Sequence, residues 1–197
     1  MIPITLASQS AARSQILAGA GVAFEKVVSG VDEDLVKARI LGAGGNPKSC
    51  ALALAEIKAL TVAATRAGLV IGADQTLEFE GTLHDKAESL EEARARLLAL
   101  QGAPHHLHSA VVLAQGNEIL WSDVSTATLT LRDFTPDFLD HYLGLEGPAL
   151  LGSVGCYRLE GPGAQLFSSI EGDYFAILGL PLLGLLDQLR SRGALIP

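Results

Sequence analysis

The sequence is poor in features that mark several large classes of protein. It has only two cysteines, Cys50 and Cys156, and neither has a CxxC or CxxH neighbour. This excludes a disulfide scaffold and a cysteine-based zinc site, so both thiols are predicted to be small buried hydrophobes. No apolar run reaches the roughly 18 residues of a membrane span, and no basic, apolar leader begins the sequence. We therefore expect a cytoplasmic chain without a membrane partner.

Positive charge is also scarce. The chain has 14 Lys and Arg residues against 22 Asp and Glu residues, which gives a net charge of -8. Nucleic acids are bound mainly through clustered Lys and Arg, and here these residues are scattered, so no nucleic-acid partner is expected. A single anionic ligand would need a local pocket of positive charge, a divalent metal held by carboxylates, or both.

What the chain does have is apolar content. Hydrophobic residues make up 49% of it and charged residues 18%, with no low-complexity segment. These values are typical of a compact globular protein rather than a disordered one. Residues 1–197 are long enough to bury a substantial core, and we expect them to form a single domain.

The most informative stretch runs from Val70 to Phe79. The apolar run before Gly72 predicts a buried strand, and the step from Gly72 to Ala73 is typical of a core strand that another molecule approaches closely. Asp74 would then lie at the opening of a site. The local sequence fits a simple turn-capping role for Asp74 equally well.

The first residues predict a strand, a loop and a helix. Ile2 to Ala7 is strand-like, and the serines that follow, Ser8 and Ser10, can cap a helix that ends near Gly19. Such a turn points backbone N–H groups and Arg13 towards whatever lies above the strand, which suits phosphate. A surface arginine on an ordinary helix is the alternative.

Two more charged positions have two interpretations each. The acidic run after Gly30 is either a solvated face or a turn that directs Glu33 inward as a metal ligand. The Asn46-Pro47 pair predicts a helix to about Gly68, with Lys58 at or near its buried face. Lys58 then either extends to the edge of the core or reaches an anionic ligand.

The second half of the chain predicts a β-hairpin from His105 to Leu131, followed by a helix after Pro136 and a last helix after Pro181. His106 and His108 share one strand face with the spacing of metal ligands, but no third ligand is evident, so ordinary sheet histidines are favoured. Residues 151–174 are rich in glycine without a clear period and match no P-loop.

Several motifs together resemble the Maf family of nucleotide pyrophosphatases. They appear in the family's order over nearly the whole chain, which makes the set far more specific than any member of it. The motifs are Leu6-Ala7-Ser8-Gln9-Ser10-Ala11-Ala12-Arg13, Val31-Asp32-Glu33, Ala55-Glu56-Ile57-Lys58-Ala59, Ile71-Gly72-Ala73-Asp74, Lys86, Gly155-Cys156-Tyr157 with Leu159-Glu160-Gly161, and Glu171-Gly172-Asp173-Tyr174 with Gly179-Leu180-Pro181.

The resemblance implies an α/β fold in two lobes, with a mixed, twisted sheet flanked by helices and a nucleotide cleft, as in the inosine triphosphatase-like proteins. It implies hydrolysis of a nucleoside triphosphate to the monophosphate and pyrophosphate with Mg²⁺ or Mn²⁺. Asp74 would be the proton acceptor and a metal ligand, with Glu33 as the second acid. The residues that match the triphosphate-binding positions are Ser8, Arg13, Lys58 and Lys86. This chemistry needs a base on one side of the α-phosphorus and cations on the other.

The substrate base is where the chain departs from the family. Proline and a large basic or aromatic residue usually stand at the positions of Ala11 and Ala12, and proline at that of Ala87. Gln75 and Glu160 resemble the residues of the subgroup that acts on 7-methyl-GTP. A physical reason for this specificity is that a carboxylate can accept the N–H donors of a cationic base.

Other functions remain open. The first alternative is a pyrophosphatase of the dTTP and UTP type, whose subgroup carries Thr and Gln at the positions of Gln75 and Glu160. The second is a nucleotide-binding regulator of septum formation and cell division with little turnover. The favoured role is that of a house-cleaning or modified-nucleotide enzyme, and a homodimer is compatible with the sequence.

Overall fold

The computed structural model describes residues 2–196 and contains a seven-stranded mixed sheet in the order β2-β1-β3-β5-β6-β7, with β4 paired to β3. The strands are β1 (Ile4–Ala7), β2 (Glu25–Lys26), β3 (Leu69–Phe79), β4 (Thr82–His84), β5 (Pro104–Gln115), β6 (Glu118–Leu131) and β7 (Phe167–Glu171). The helices within the described residues are α1 (Ala11–Gly19), α2 (Glu33–Gly42), α3 (Pro47–Ala63), α4 (Leu90–Leu100), α5 (Pro136–Glu146), α6 (Tyr174–Ile177) and α7 (Leu182–Ser191). This architecture confirms the predicted α/β class.

Strand β3 is the centre of the sheet. It pairs in parallel with β1 and antiparallel with β5, and its first six residues are buried. Because successive side chains of a strand point to opposite faces, Val70 packs with α3, whereas Ile71 and Ala73 pack with α1 and α7. The apolar run in the sequence has no alternation because both faces of this strand are covered.

Helix α3 lies directly against β3. It begins with a capping box between Asn46 and Ser49 and with Pro47 in its first turn, as the sequence predicts. A Cβ atom at Gly72 would lie 2.2 Å from the backbone oxygen of Ala55 and 2.7 Å from the Cβ of Ala59. Only glycine therefore permits this contact, which brings the helix close enough for its Lys58 to reach β3.

The hydrophobic core divides into two ends. At one end, α1 and α7 cover the sheet through Leu17, Leu185 and Leu189, with α3 on the opposite face. At the other end, α4 and α5 pack around Leu129 and Tyr142. A cleft opens between the two ends, in agreement with the expected two-lobed shape. Cys50 and Cys156 are both buried, as predicted.

Some sequence expectations were wrong. Asp74 does not end a strand, because β3 continues past it and pairs it with Ala110 of β5. The sequence also predicts a strand from Ala23 to Ser29, but β2 covers only Glu25–Lys26. The aperiodic segment 151–174 contains β7, whose residues are mostly exposed and so show no alternation.

No helix among residues 2–196 is long and apolar enough to cross a membrane.

Candidate active site

The cleft has a volume of about 1070 Å³ and is lined by both ends of the molecule. All nine residues proposed from the sequence line it: Ser8, Ala12, Arg13, Glu33, Lys58, Asp74, Gln75, Lys86 and Glu160. They come from several separate parts of the chain, and only the fold brings them together. A cavity of this size with convergent polar groups is the default candidate for a ligand site.

An ammonium group between two carboxylates forms the floor of the cleft. The Nζ atom of Lys58 lies 2.6 Å from Oδ1 of Asp74 and 2.5 Å from Oε1 of Glu33. Lys58 comes from α3, Asp74 from the middle of β3, and Glu33 from the first turn of α2. Three separate elements therefore converge on one charged group, and both Lys58 and Glu33 point into the cleft.

The two carboxylates have different electrostatic environments. Burial raises the pKa of the Asp74 carboxyl, and the nearby charges of Lys58 and Arg13 offset this only in part. Desolvation acts in the same sense on Glu33, but the hydrogen bond and charge of Lys58, helped by Lys37 and Lys86, lower its pKa below the usual range. Opposite pKa shifts in a pair of nearby acids are typical of sites that perform acid–base chemistry.

Arg13 is buried and acts partly as a structural tie. Its Nε donates to the carbonyl oxygen of Gly179 at 2.8 Å, and its Nη1 donates to Ser8 Oγ at 3.1 Å and to the Ala73 carbonyl oxygen at 3.0 Å. Helix α1 is thereby joined to β3 and to the loop after α6. Among residues 2–196, Nη2 of Arg13 makes no hydrogen bond to protein, so this atom and the group's charge are what Arg13 offers a ligand.

Gln75 is also anchored. Its amide nitrogen donates to the carbonyl oxygens of Ala176 and Ile177 at 3.1 and 3.0 Å and to Ser109 Oγ at 2.9 Å. Ser109 in turn donates to the carbonyl oxygen of Ala176 at 2.6 Å. Ser109 was not identified from the sequence, where it is one polar residue in a strand that also contains three histidines.

Lys86 lines the cleft, close enough to Glu33 for its charge to help lower the pKa of that carboxyl, and it makes no ion pair with any of the described residues. The neighbouring Asp85 binds Nζ of Lys37 at 2.6 Å, and Lys37 also reaches Asp34 at 3.1 Å. Nη1 of Arg96 donates to the carbonyl oxygens of Asp85 and, at 3.0 Å, of Val154. Lys37 and Arg96 were not identified from the sequence. Their contacts join the loop that carries Lys86 to α2 and to the segment around Val154.

Glu160 and Ala12 also line the cleft. Oε1 of Glu160 is 3.3 Å from Nε of Arg158, whose Nη1 is 3.3 Å from Oε2 of Glu146. Ala12, near the start of α1, contributes only a methyl group, so this end of the cleft is wide.

The donor set for a metal ion is small. Within residues 2–196 there is no group of three or more His, Cys, Asp or Glu side chains placed to hold one. His106 and His108 instead bond to Thr128 and Thr126 through Nδ1, as ordinary sheet residues do. Glu33 and Asp74 remain, and one or two carboxylates are what Mg²⁺ usually takes from a protein when substrate phosphates complete its shell.

The fold and the cleft together define an α/β protein with an acid–lysine–acid group in its cleft. A family model described as Maf-like protein matches residues 3–192. The chain belongs to the Maf family.

Relatives cover nearly the whole chain. A Caulobacter vibrioides protein named nucleoside triphosphate pyrophosphatase is 59% identical over 195 residues, which are 99% of this chain and 98% of the relative. A Granulibacter bethesdensis protein of the same name is 52% identical, with 98% of each chain covered. A Brucella abortus protein named 7-methyl-GTP pyrophosphatase is 44% identical, with 97% of this chain and 96% of the relative covered.

Proposed function

We propose that this protein hydrolyses the bond between the α- and β-phosphates of a nucleoside triphosphate, releasing the monophosphate and pyrophosphate. The observation that carries the proposal is the Lys58 ammonium bound to both Asp74 and Glu33 in a cleft that Lys86 also lines. The relatives named as pyrophosphatases and the family match support the same reaction.

Asp74 is the proposed proton acceptor. Water forms a bond to the α-phosphorus, its proton passes to a carboxylate oxygen of Asp74, and the bond to the bridging oxygen of pyrophosphate breaks. Because burial raises the pKa of Asp74, this carboxylate is a stronger base than an exposed one. Lys58 fixes its orientation through the 2.6 Å contact and offsets its charge.

The positive groups that line the cleft receive the phosphates. Lys86, without an ion-pair partner among the described residues, offers a full charge to the leaving pyrophosphate. Arg13 contributes Nη2 and its charge, while Ser8 holds that guanidinium in place. This local group of cations is what allows a protein of net charge -8 to bind a polyanion.

A divalent cation fits this donor set. Glu33 and Asp74 would hold Mg²⁺ or Mn²⁺, and their common contact with Lys58 keeps the two carboxylates on one side of the cleft. Such an ion would neutralise charge on the phosphate oxygens.

For the base we propose 7-methyl-GTP or another base with a donor-rich edge. The support is Glu160 on the cleft wall, the anchored Gln75, and relatives named 7-methyl-GTP pyrophosphatase at 44–46% identity. The wide end beside Ala12 favours the dTTP and UTP alternative, because a wide pocket excludes fewer bases.

The test is pyrophosphate release from a panel of canonical and modified nucleoside triphosphates, with Asp74→Asn as the inactive control. The expected result is release from at least one substrate, highest with 7-methyl-GTP, and none above background from the control. Nucleotide binding without release from any of them would favour the regulator, and equal release by the control would remove Asp74 from the mechanism.

A further inference from the structure

Arg158 sits between two acids at the wall of the cleft. Its Nη1 contacts Oε2 of Glu146 and its Nε contacts Oε1 of Glu160, both at 3.3 Å. The Glu146 side chain is only 5% exposed, and Arg158 is its one ion-pair partner within residues 2–196. A buried carboxylate needs a paired charge, so Glu146 anchors the guanidinium.

The backbone of Arg158 is held as firmly as its side chain. Its carbonyl oxygen accepts a hydrogen bond from the Gly161 N–H at 3.2 Å. A Cβ atom at Gly163 would lie 2.5 Å from that same oxygen, so the turn closes tightly only with glycine there. The backbone and the side chain of Arg158 are therefore both fixed relative to the cleft, which Arg158 and Glu160 line.

This arrangement changes what Glu160 can offer a ligand. One carboxylate oxygen is engaged by Arg158, and the positive charge beside it weakens the field that Glu160 alone would project. A cationic base such as 7-methylguanine loses part of its attraction, whereas a neutral base loses little. The balance between cationic and neutral bases thus depends on Arg158 as well as on Glu160.

We propose that Arg158 is a positioning residue that determines base specificity: held by Glu146, it restrains Glu160 and lets the cleft accept neutral as well as cationic bases. This inference rests on the proposed function, in which Glu160 faces the base. Arg158 itself has no assigned contact with the reacting phosphates.

The test measures binding rather than hydrolysis. Isothermal titration with 7-methyl-GMP and GMP, at a mildly acidic pH where the methylated base is cationic, gives a ratio of affinities for the parent and each variant. Arg158→Gln should raise the preference for 7-methyl-GMP by about 3- to 10-fold, the size of one unit charge acting over about 7 Å in a largely aqueous medium. Arg158→Lys, which keeps the charge, should stay near the parent ratio.

A cycle with Glu160→Gln separates this role from general damage. If Arg158 acts through Glu160, Arg158→Gln should cause a clearly smaller rise in the Glu160→Gln background, where only the direct repulsion between Arg158 and a cationic base is relieved. An unchanged ratio in the single variant, or an equal rise in both backgrounds, would overturn the proposal.

Folding is controlled by a second variant, because Arg158→Gln leaves the Glu146 carboxylate buried without its partner. Arg158→Gln combined with Glu146→Gln removes both charges and should show the same rise in ratio. Pyrophosphate release is measured separately: its absence from every nucleotide would refute the proposed reaction, whereas an unchanged binding ratio would refute only the role of Arg158.

Discussion

Asp74 and Glu33 bind the same ammonium group, but the regions that carry them are built differently. Asp74 lies in the central strand β3, and its side chain is 9% exposed. Glu33 begins α2, a helix with no buried residue, and its side chain is 46% exposed. Ion pairs of Lys58 with Glu33 and of Lys37 with Asp85 join this helix to α3 and to the loop that carries Lys86.

This difference separates two kinds of site residue. The core fixes Asp74 and Lys58 before any ligand arrives, because α3 and β3 are in backbone contact at Gly72. Glu33 is held mainly by charge, and elements with few buried contacts are the ones that open locally at low cost. A polyanion entering the cleft should therefore shift Glu33 and α2 more readily than Asp74.

The largest expected effect comes from removing the divalent cation, which would disable both acids together. Turnover should fall to background in excess EDTA and return when Mg²⁺ or Mn²⁺ is restored, because the two carboxylates alone would repel a triphosphate. A pyrophosphate-release assay checks this. Full activity in excess EDTA would show that the metal role proposed for Glu33 is wrong.

Substituting the two acids one at a time should give unequal losses. Asp74→Asn should lower kcat by about 10²- to 10⁴-fold, as expected for loss of a general base. Glu33→Gln should cost about 10-fold at saturating Mg²⁺, because Asp74 and the substrate phosphates would still hold the ion. Circular dichroism should show both variants folded, and equal losses would mean that the two regions do not differ in function.

The packing that fixes Asp74 can be tested directly at Gly72. Gly72→Ala should lower the free energy of unfolding by about 3 kcal/mol, because the new methyl group would overlap the Ala55 carbonyl oxygen. Gly144→Ala in α5 is the matched control, since nothing lies within 4 Å of its Cβ position. Urea unfolding of the two variants decides the matter, and similar stabilities would mean that the contact at Gly72 is loose.

The same contrast explains what could be predicted from the sequence. The strand through Gly72 and the helix after Asn46 have strong local signals. A strand buried on both faces shows a continuous apolar run, and the start of the helix shows a capping residue followed by proline. Helix α2 was not predicted at all, since a helix with no buried residue has no apolar period. The ties made by Lys37 and Arg96 were also missed, because they join residues 48 and 58 positions apart.

A different buried pair, His105 and Tyr157, lies behind another part of the cleft wall. The ring nitrogen Nε2 of His105 is 2.7 Å from the Tyr157 hydroxyl oxygen, and Tyr157 lines the cleft. Burial, with a smaller effect from His106, lowers the pKa of His105 from 6.5 to about 4. Because the unfolded chain binds this proton more readily, stability is lost as the pH falls from 6.5 towards 4.

His105→Gln should therefore reduce the loss of stability between pH 7 and pH 4 by up to about 3 kcal/mol, from the size of the pKa shift. Denaturant unfolding of the parent and the variant at both pH values measures the difference. His141→Gln serves as control because His141 is exposed. The same pH dependence in the parent and in His105→Gln would show that His105 is not held neutral by burial.

The smallest expected effect concerns the base. The double change Gln75→Thr with Glu160→Gln should lower the ratio of kcat/KM for 7-methyl-GTP to that for dTTP by about 10-fold. The reason is that a mismatched base leaves buried polar groups unpaired, at about 1–3 kcal/mol each. Gln75→Thr also removes the amide that donates to Ala176 and Ile177, which loosens α6 at the cleft.

The single variants separate these causes. Glu160→Gln alone leaves the anchor of α6 intact and should change the ranking of the nucleotides. Gln75→Thr alone should raise KM for all of them, because α6 and the loop holding Arg13 through Gly179 would shift. Measuring kcat/KM with dTTP, UTP, CTP and 7-methyl-GTP on the parent and the three variants decides between them. An unchanged ranking throughout would mean that neither residue reads the base and that specificity lies at the wide end beside Ala12.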